Sequence, residues 1–275
     1  MIEGTLLLGR LALGLGTLMG LGYAFTAWLV PGSNRLERLA FGPGPGALLL
    51  TWWLLALSAL GIPFQLPLVL GPPWALVAGL WLGDRLAHRG KRPRPPEPPS
   101  PPLPWGAWDW LFLALLAGLF LFAVFRASLY PVWAWDAIST WGFKAKVFFI
   151  RGTVDLTGFE AHNYYPNLVP LLLTSLYLWL GEVNDHLVKL IFPLYGGALV
   201  LMLYTLGRRL GLPRPTALGT CAFLALNGLT FIQHLHIAYA DLILTYFAFG
   251  AWGIIYLWLK NAAPRRGLDT PIGSA

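Results

Sequence analysis

Charge is what this chain most lacks. Asp, Glu, Lys and Arg make up 11% of its 275 residues, where soluble domains carry about a quarter. Hydrophobic residues make up 57% and mean hydropathy is +0.63. Too few polar side chains remain to cover a water-soluble surface, so a soluble globular domain is excluded and a membrane protein is implied. Cysteine is nearly absent as well. Cys221 stands alone in an apolar run, so no internal disulfide is possible and redox compartment cannot be read from it. Acids are outnumbered, with 12 Asp and Glu against 19 Lys and Arg for a net charge of +7. In so apolar a chain that excess marks cytoplasmic loops rather than a nucleic-acid face, and no nucleic-acid partner is expected. No Gly-rich phosphate loop, nucleophile elbow or paired-cysteine motif occurs, which leaves a nucleotide-driven pump or a serine hydrolase without support.

Long apolar runs are what the chain has in place of charge. A spanning helix needs about 20 mostly apolar residues, and seven stretches approach that: Leu11–Val30, Gly46–Ile62, Leu66–Gly83, Ala107–Phe125, Leu190–Gly207, Thr216–Ile232 and Leu242–Leu259. The expected fold is an all-α, polytopic transmembrane bundle of about seven spans, with juxtamembrane helices in one long loop. Leu168–Gly181 is shorter and contains Pro170, so it is expected to lie at the interface. Met1-Ile2-Glu3 carries no positive leader, which predicts a retained first helix rather than a cleaved signal peptide. Basic loops stay cytoplasmic. Arg85, Arg89, Lys91, Arg92 and Arg94 therefore place 84–104 inside, and the Arg208-Arg209 turn, the loop with Arg35 and Arg38, and the tail with Lys260, Arg265 and Arg266 follow. The N-terminus and residues 126–167 then fall outside and the C-terminus inside.

Eight prolines between Pro93 and Pro104 predict a semi-rigid spacer. It divides an N-terminal block of three spans, 1–83, from a second block, 105–260, with a basic Pro-rich linker at 84–104 and a cytoplasmic tail at 261–275. In the first block, Phe41-Gly-Pro-Gly-Pro-Gly46 reads as a helix-breaking turn between spans.

Nearly all polar chemistry lies in the second block. Arg126 to Pro166 reads RASLYPVWAWDAISTWGFKAKVFFIRGTVDLTGFEAHNYYP, a long aromatic and charged loop of the kind that carries function. If Asp136 opens a helix, Ile138, Trp141, Ala145, Phe148 and Phe149 share one face. Asp136, Thr140, Lys144 and Arg151 share the other. Asp136 follows an aromatic run at the membrane surface, where a carboxylate is costly to desolvate and has a partner or a task. Lys146, Asp155 and Glu160 read as solvated residues, and Trp133, Trp135 and Trp141 fit an aromatic belt. A second cluster, His162-Asn163-Tyr164-Tyr165-Pro166, suits either a phosphate or sugar hydroxyl or an interface anchor. A third, Asp241 near His234 and His236, lies at the outer entrance of the last span, where Asp241 is also an ordinary helix cap. The His and Asp spacing there matches no metal motif.

The order of these clusters resembles the C-type polytopic glycosyltransferases. An outward span is followed by WDAISTWGFKAKVFFIRG, HNYYPNLVPLL, a span ending in Arg208-Arg209-Leu210, and AYADLIL. Over roughly residues 105–260 the chain looks most like the bacterial branch related to protein O-mannosyltransferases and lipid A aminoarabinose transferases. The resemblance implies transfer of a sugar from a polyprenyl-phosphate carrier to a lipid, glycan or protein acceptor outside a bacterial cytoplasmic membrane. It implies Asp136 as catalytic base, Lys144 and Arg151, with His162 and Tyr165 beside them, as groups for substrate and phosphate, and Asp241 as an orienting acid. A divalent cation is left open as a cofactor. A transporter or flippase for lipid-linked sugars, or a non-catalytic membrane subunit, is the competing expectation.

Overall fold

The computed structural model describes residues 2–87 and 104–262. The Pro-rich linker and the tail lie almost wholly outside the described residues. The described chain is all-helical and contains no strand. In order it forms α1 (Ile2–Leu29), α2 (Arg35–Phe41), α3 (Pro43–Ala59), α4 (Leu66–Ala87), α5 (Ala107–Leu129), α6 (Phe143–Arg151), α7 (Leu168–Leu180), α8 (Ile191–Arg209), α9 (Arg214–Ala225) and α10 (Asp241–Ala262). Five of these, α1, α4, α5, α8 and α10, are long and apolar enough to cross a membrane, and the bent pair α2–α3 makes a sixth if counted as one span. The protein is a multi-pass membrane protein.

Two expected spans differ from expectation for local reasons. The stretch at 216–232 ends as a helix at Ala225, where Asn227 and Gly228 interrupt it and the chain continues as short turns. The segment still climbs beside α5. Arg214 binds Asp109 at one end of α5 at 2.8 Å, and the turn Gln233–Leu235 packs toward its other end. The Phe41–Gly46 segment, expected to be a loop, is a 42° bend within a helical pair. Pro43 and Pro45 sit in the first turn of α3, where a missing N–H is harmless. The entry into α2 is capped by Asn34 and Glu37 in a reciprocal capping box.

Glycine makes that bend possible. A Cβ on Gly22 would run into the Gly42 carbonyl, and one on Gly46 into the Leu18 carbonyl. Close backbone contact of this kind is how small residues drive helix association in membranes. α7 is too short to count as a span, and Leu171, Leu172, Leu173 and Tyr177 are fully buried against α1, α3 and α6.

The N-terminal helices pack directly on the later ones, α1 on α7 and α2 on α8. Glu37, almost fully buried, forms an ion pair with Arg209, whose second nitrogen donates to Glu37 Oε2 at 2.8 Å. Tyr195 and Tyr246 donate to the carbonyls of Pro43 and Ala40, tying α8 and α10 to the bend. Gly22→Ala or Gly46→Ala should therefore lower stability by about 3 kcal/mol or more, whereas Gly16→Ala, which meets nothing within 4 Å, should be neutral. Thermal unfolding of the purified protein in detergent checks both.

Candidate functional site in the loop after α5

Beyond α5 the chain turns at Tyr130 and enters a π-helical segment, Ala137–Gly142, before α6. π-Helices bond i→i+5 and take an extra residue per turn, which re-aims the faces expected from 3.6-residue spacing. Gly142 is required here, since a Cβ would lie 2.7 Å from the Ala137 carbonyl oxygen. The consequence is a correction to the expected amphipathic pattern. Asp136 and Ile138 are exposed, while Thr140, Lys144, Ala145 and Phe148 turn inward. Asp136 and Lys144 do not share an open face.

Lys144 is fully buried. Its ammonium donates to the carbonyls of His162 at 2.8 Å and Tyr165 at 3.2 Å. Burial lowers its pKa from the ordinary value, because no carboxylate compensates the desolvated charge. The contact pins the second cluster at a residue whose backbone is left-handed, His162 with φ +49°. A non-glycine residue holds such a conformation only where surrounding contacts enforce it.

The pinned segment forms an aromatic wall. Tyr165 stacks on Trp141 at 5.5 Å and on His162 at 5.4 Å, and Tyr164 meets both His162 and Tyr165 edge-on. A hollow of about 480 Å³ beside it is lined by Ser139, Glu160, Ala161, His162, Asn163 and Tyr164. The Tyr165 phenol titrates above its ordinary value, chiefly because of Tyr164, with burial and the negative charge of Asp136 adding to the shift. Asp136 and the His/Tyr cluster, 26 or more residues apart in sequence, are thus brought together. The Asp136 carboxylate has no hydrogen bond or ion pair among the described residues.

Arg151 does not join them. It pairs with Asp155 at 2.7 Å, donates to the Thr157 carbonyl and stacks on Phe159. The pairing with Arg151 and the bonds from Thr157 hold Asp155 below the usual carboxylate range, with the Thr157 bonds the larger cause. Asp241 belongs to a separate cluster. Its exposed carboxylate lies 3.9 Å from His234, whose ring packs edge-on against Tyr239. Among the described residues no group of three or more His, Cys, Asp or Glu side chains could hold a metal ion.

The fold adds cations that the sequence reading passed over. Lys189, fully buried at the start of α8, donates to the carbonyls of Tyr130 and Pro131, both at 3.0 Å. Arg126 stands over the Tyr130 ring at 5.0 Å and has no ion pair among the described residues. His236 is pushed below its ordinary pKa, first by burial and then by the charges of Arg126 and Lys189. Lys146 pairs with Asp185 at 2.6 Å, which also accepts from Tyr177, so α6 is anchored to the turn before α8. The available signal was the lysine at the mouth of an apolar span, an ionisable residue where such residues are rare.

Comparison with known proteins finds no family model, no curated protein and no solved structure that matches this chain.

Lys144→Met orphans two carbonyls, each costing about 1–3 kcal/mol when left without a donor. Hydrogen exchange at residues 161–166 should accelerate while the amides of α8 keep their protection; unchanged exchange at 161–166 would show that the ammonium does not hold the loop.

Proposed function

We propose that the protein is a membrane glycosyltransferase that moves a sugar from a polyprenyl-phosphate carrier to a hydroxyl of a lipid, glycan or protein acceptor at the outer face of a bacterial cytoplasmic membrane, with its N-terminus outside and its C-terminus inside. The observation that carries this reading is Asp136, an exposed carboxylate with no hydrogen bond or ion pair among the described residues, set beside a rigid aromatic wall.

In the reaction Asp136 acts as general base. It takes the proton of the acceptor hydroxyl as that oxygen attacks the anomeric carbon, and the bond from that carbon to the phosphate oxygen breaks with its electrons leaving on the lipid phosphate. Attack from the opposite face inverts the configuration. Exposed tyrosine rings suit the apolar face of a sugar, and Tyr164 and Tyr165 with His162 offer them. Stabilisation of the departing phosphate needs cations. Arg126, unpaired and accessible, serves it, with the positive charge of Lys189 behind. Lys144, expected at the phosphate, acts in this reading through the loop it holds, and Arg151 through the Asp155 turn. Asp241 with His234 orients the acceptor. A transporter would want charged groups at mid-membrane, whereas α4, α5, α8 and α10 carry theirs only in their end turns.

Asp136→Asn should reduce sugar transfer by roughly 10²–10⁴-fold while expression and thermal stability stay unchanged, as read by mass spectrometry of envelope glycans and lipids from cells carrying each form. Transfer at parental levels by the Asn variant would remove Asp136 from the chemistry. For the orientation, single cysteines at Thr157 and Ser100, in a Cys221→Ser background, should differ: the first reacts with an impermeant maleimide from outside and the second only after the membrane is opened.

A further inference from the structure

His236 has no task in the reaction as proposed. It follows the short turn Gln233–Leu235 in the irregular chain between α9 and α10, and it is only 8% exposed. Burying an imidazole is costly unless it is neutral or partnered. Among the described residues its ring bonds to no other residue.

Positive charge surrounds it. The turn packs against α5, α8 and α10. Arg126, in the last turn of α5, stands over the Tyr130 ring at 5.0 Å, and the fully buried Lys189 donates to the carbonyl of the same tyrosine at 3.0 Å. Tyr130 thus gathers both cations, and both act on His236. Burial first, then these two charges, push the imidazole below its ordinary pKa; its own carbonyl opposes them as the smallest influence. Lys189 is fixed by a second carbonyl, that of Pro131. The neighbouring acids are engaged. Asp185, which acts on Lys189, is bound by Lys146 and Tyr177, and Asp241 at the entry of α10 lies beside His234, as does Tyr239. Residues 228–232 contribute no titratable group. An empty site therefore keeps His236 neutral.

A bound anion reverses that balance. One negative charge among the three groups offsets the repulsion and gives the ring an oxygen to bond, so its pKa rises. Binding then takes up a proton at pH values between the empty and occupied pKa, and affinity falls as pH rises through that interval. The donors suit a phosphate, whose oxygens accept from several directions: Arg126 presents a fork, and Lys189 keeps one N–H beyond its two carbonyls. Arg126 and Lys189 stand at the ends of apolar spans, the level at which lipid headgroups lie. We propose that Arg126, Lys189 and His236 bind the phosphodiester of a lipid, and that His236 takes up a proton as the anion arrives, supplying a third positive charge only when the site is filled. This deepens the glycosyltransferase reading, in which the sugar donor is such a diester, and rests on it for the identity of the lipid.

The test is isothermal titration calorimetry of the full chain in non-ionic detergent with farnesyl methyl phosphate, a diester that keeps a single charge from pH 5.5 to pH 8. Near neutral pH, two buffers of different ionisation heat should reveal proton uptake on binding. From pH 8 to pH 5.5 affinity should rise about fivefold or more, the effect of a rise of roughly one unit in pKa. His236→Gln, neutral at every pH, should match the parent at pH 8 and lose both the rise and the uptake. Diester binding by the parent without proton uptake would overturn the role of His236, a result that needs no variant, and so would uptake that persists in His236→Gln. Absence of diester binding would overturn the site. Dihexanoylphosphatidylglycerol carries the same anion on a glycerolipid. If it alone binds with proton uptake, the His236 site stands and the polyprenyl carrier falls.

Discussion

A helix that ends inside an apolar bundle leaves carbonyls without an intrahelical partner, and hydrocarbon supplies no water to meet them. This fold meets that demand with long donor side chains reaching across the chain. Arg10 closes on Leu180, Tyr195 on Pro43, Tyr246 on Ala40, Trp81 on Ala24 and Trp53 on Leu68. Lys144 and Lys189 do the same for the loops on either side of Asp136, each taking two carbonyls. Other helix ends close through local backbone bonds, as at Ile62, Gly181 and Leu212, while these long side chains join elements distant in sequence.

The candidate site depends on those seals. Two buried ammonium groups hold the backbone on either side of Asp136: Lys189 before it, at Tyr130 and Pro131, and Lys144 after it, at His162 and Tyr165. Between these fixed points the π-helical turn points Asp136 outward and sends Lys144 in. Lysine suits the task because its ammonium presents several donors on a flexible stem. Among the described residues neither ammonium forms an ion pair; backbone carbonyls hold both.

A second consequence is that the N-terminal helices are not an appendage. The Gly22, Gly42 and Gly46 crossing, the Glu37–Arg209 pair and the tyrosine bonds from α8 and α10 join them to the later bundle.

Composition and hydropathy alone determined that the chain lives in a membrane, is helical, and carries its polar chemistry in one long loop that opens near Asp136. Those properties are local and additive, so a window of about 20 residues suffices to read them. Only the tertiary structure decided that the 216–232 stretch stops being a helix at Ala225, that Phe41–Gly46 bends instead of breaking, that α7 is buried, and that Lys144 faces inward. Each of these turns on where a donor finds a carbonyl or where two backbones touch. The partners lie as far apart as 170 positions for Arg10 with Leu180 and 206 for Tyr246 with Ala40, a distance no local pattern encodes.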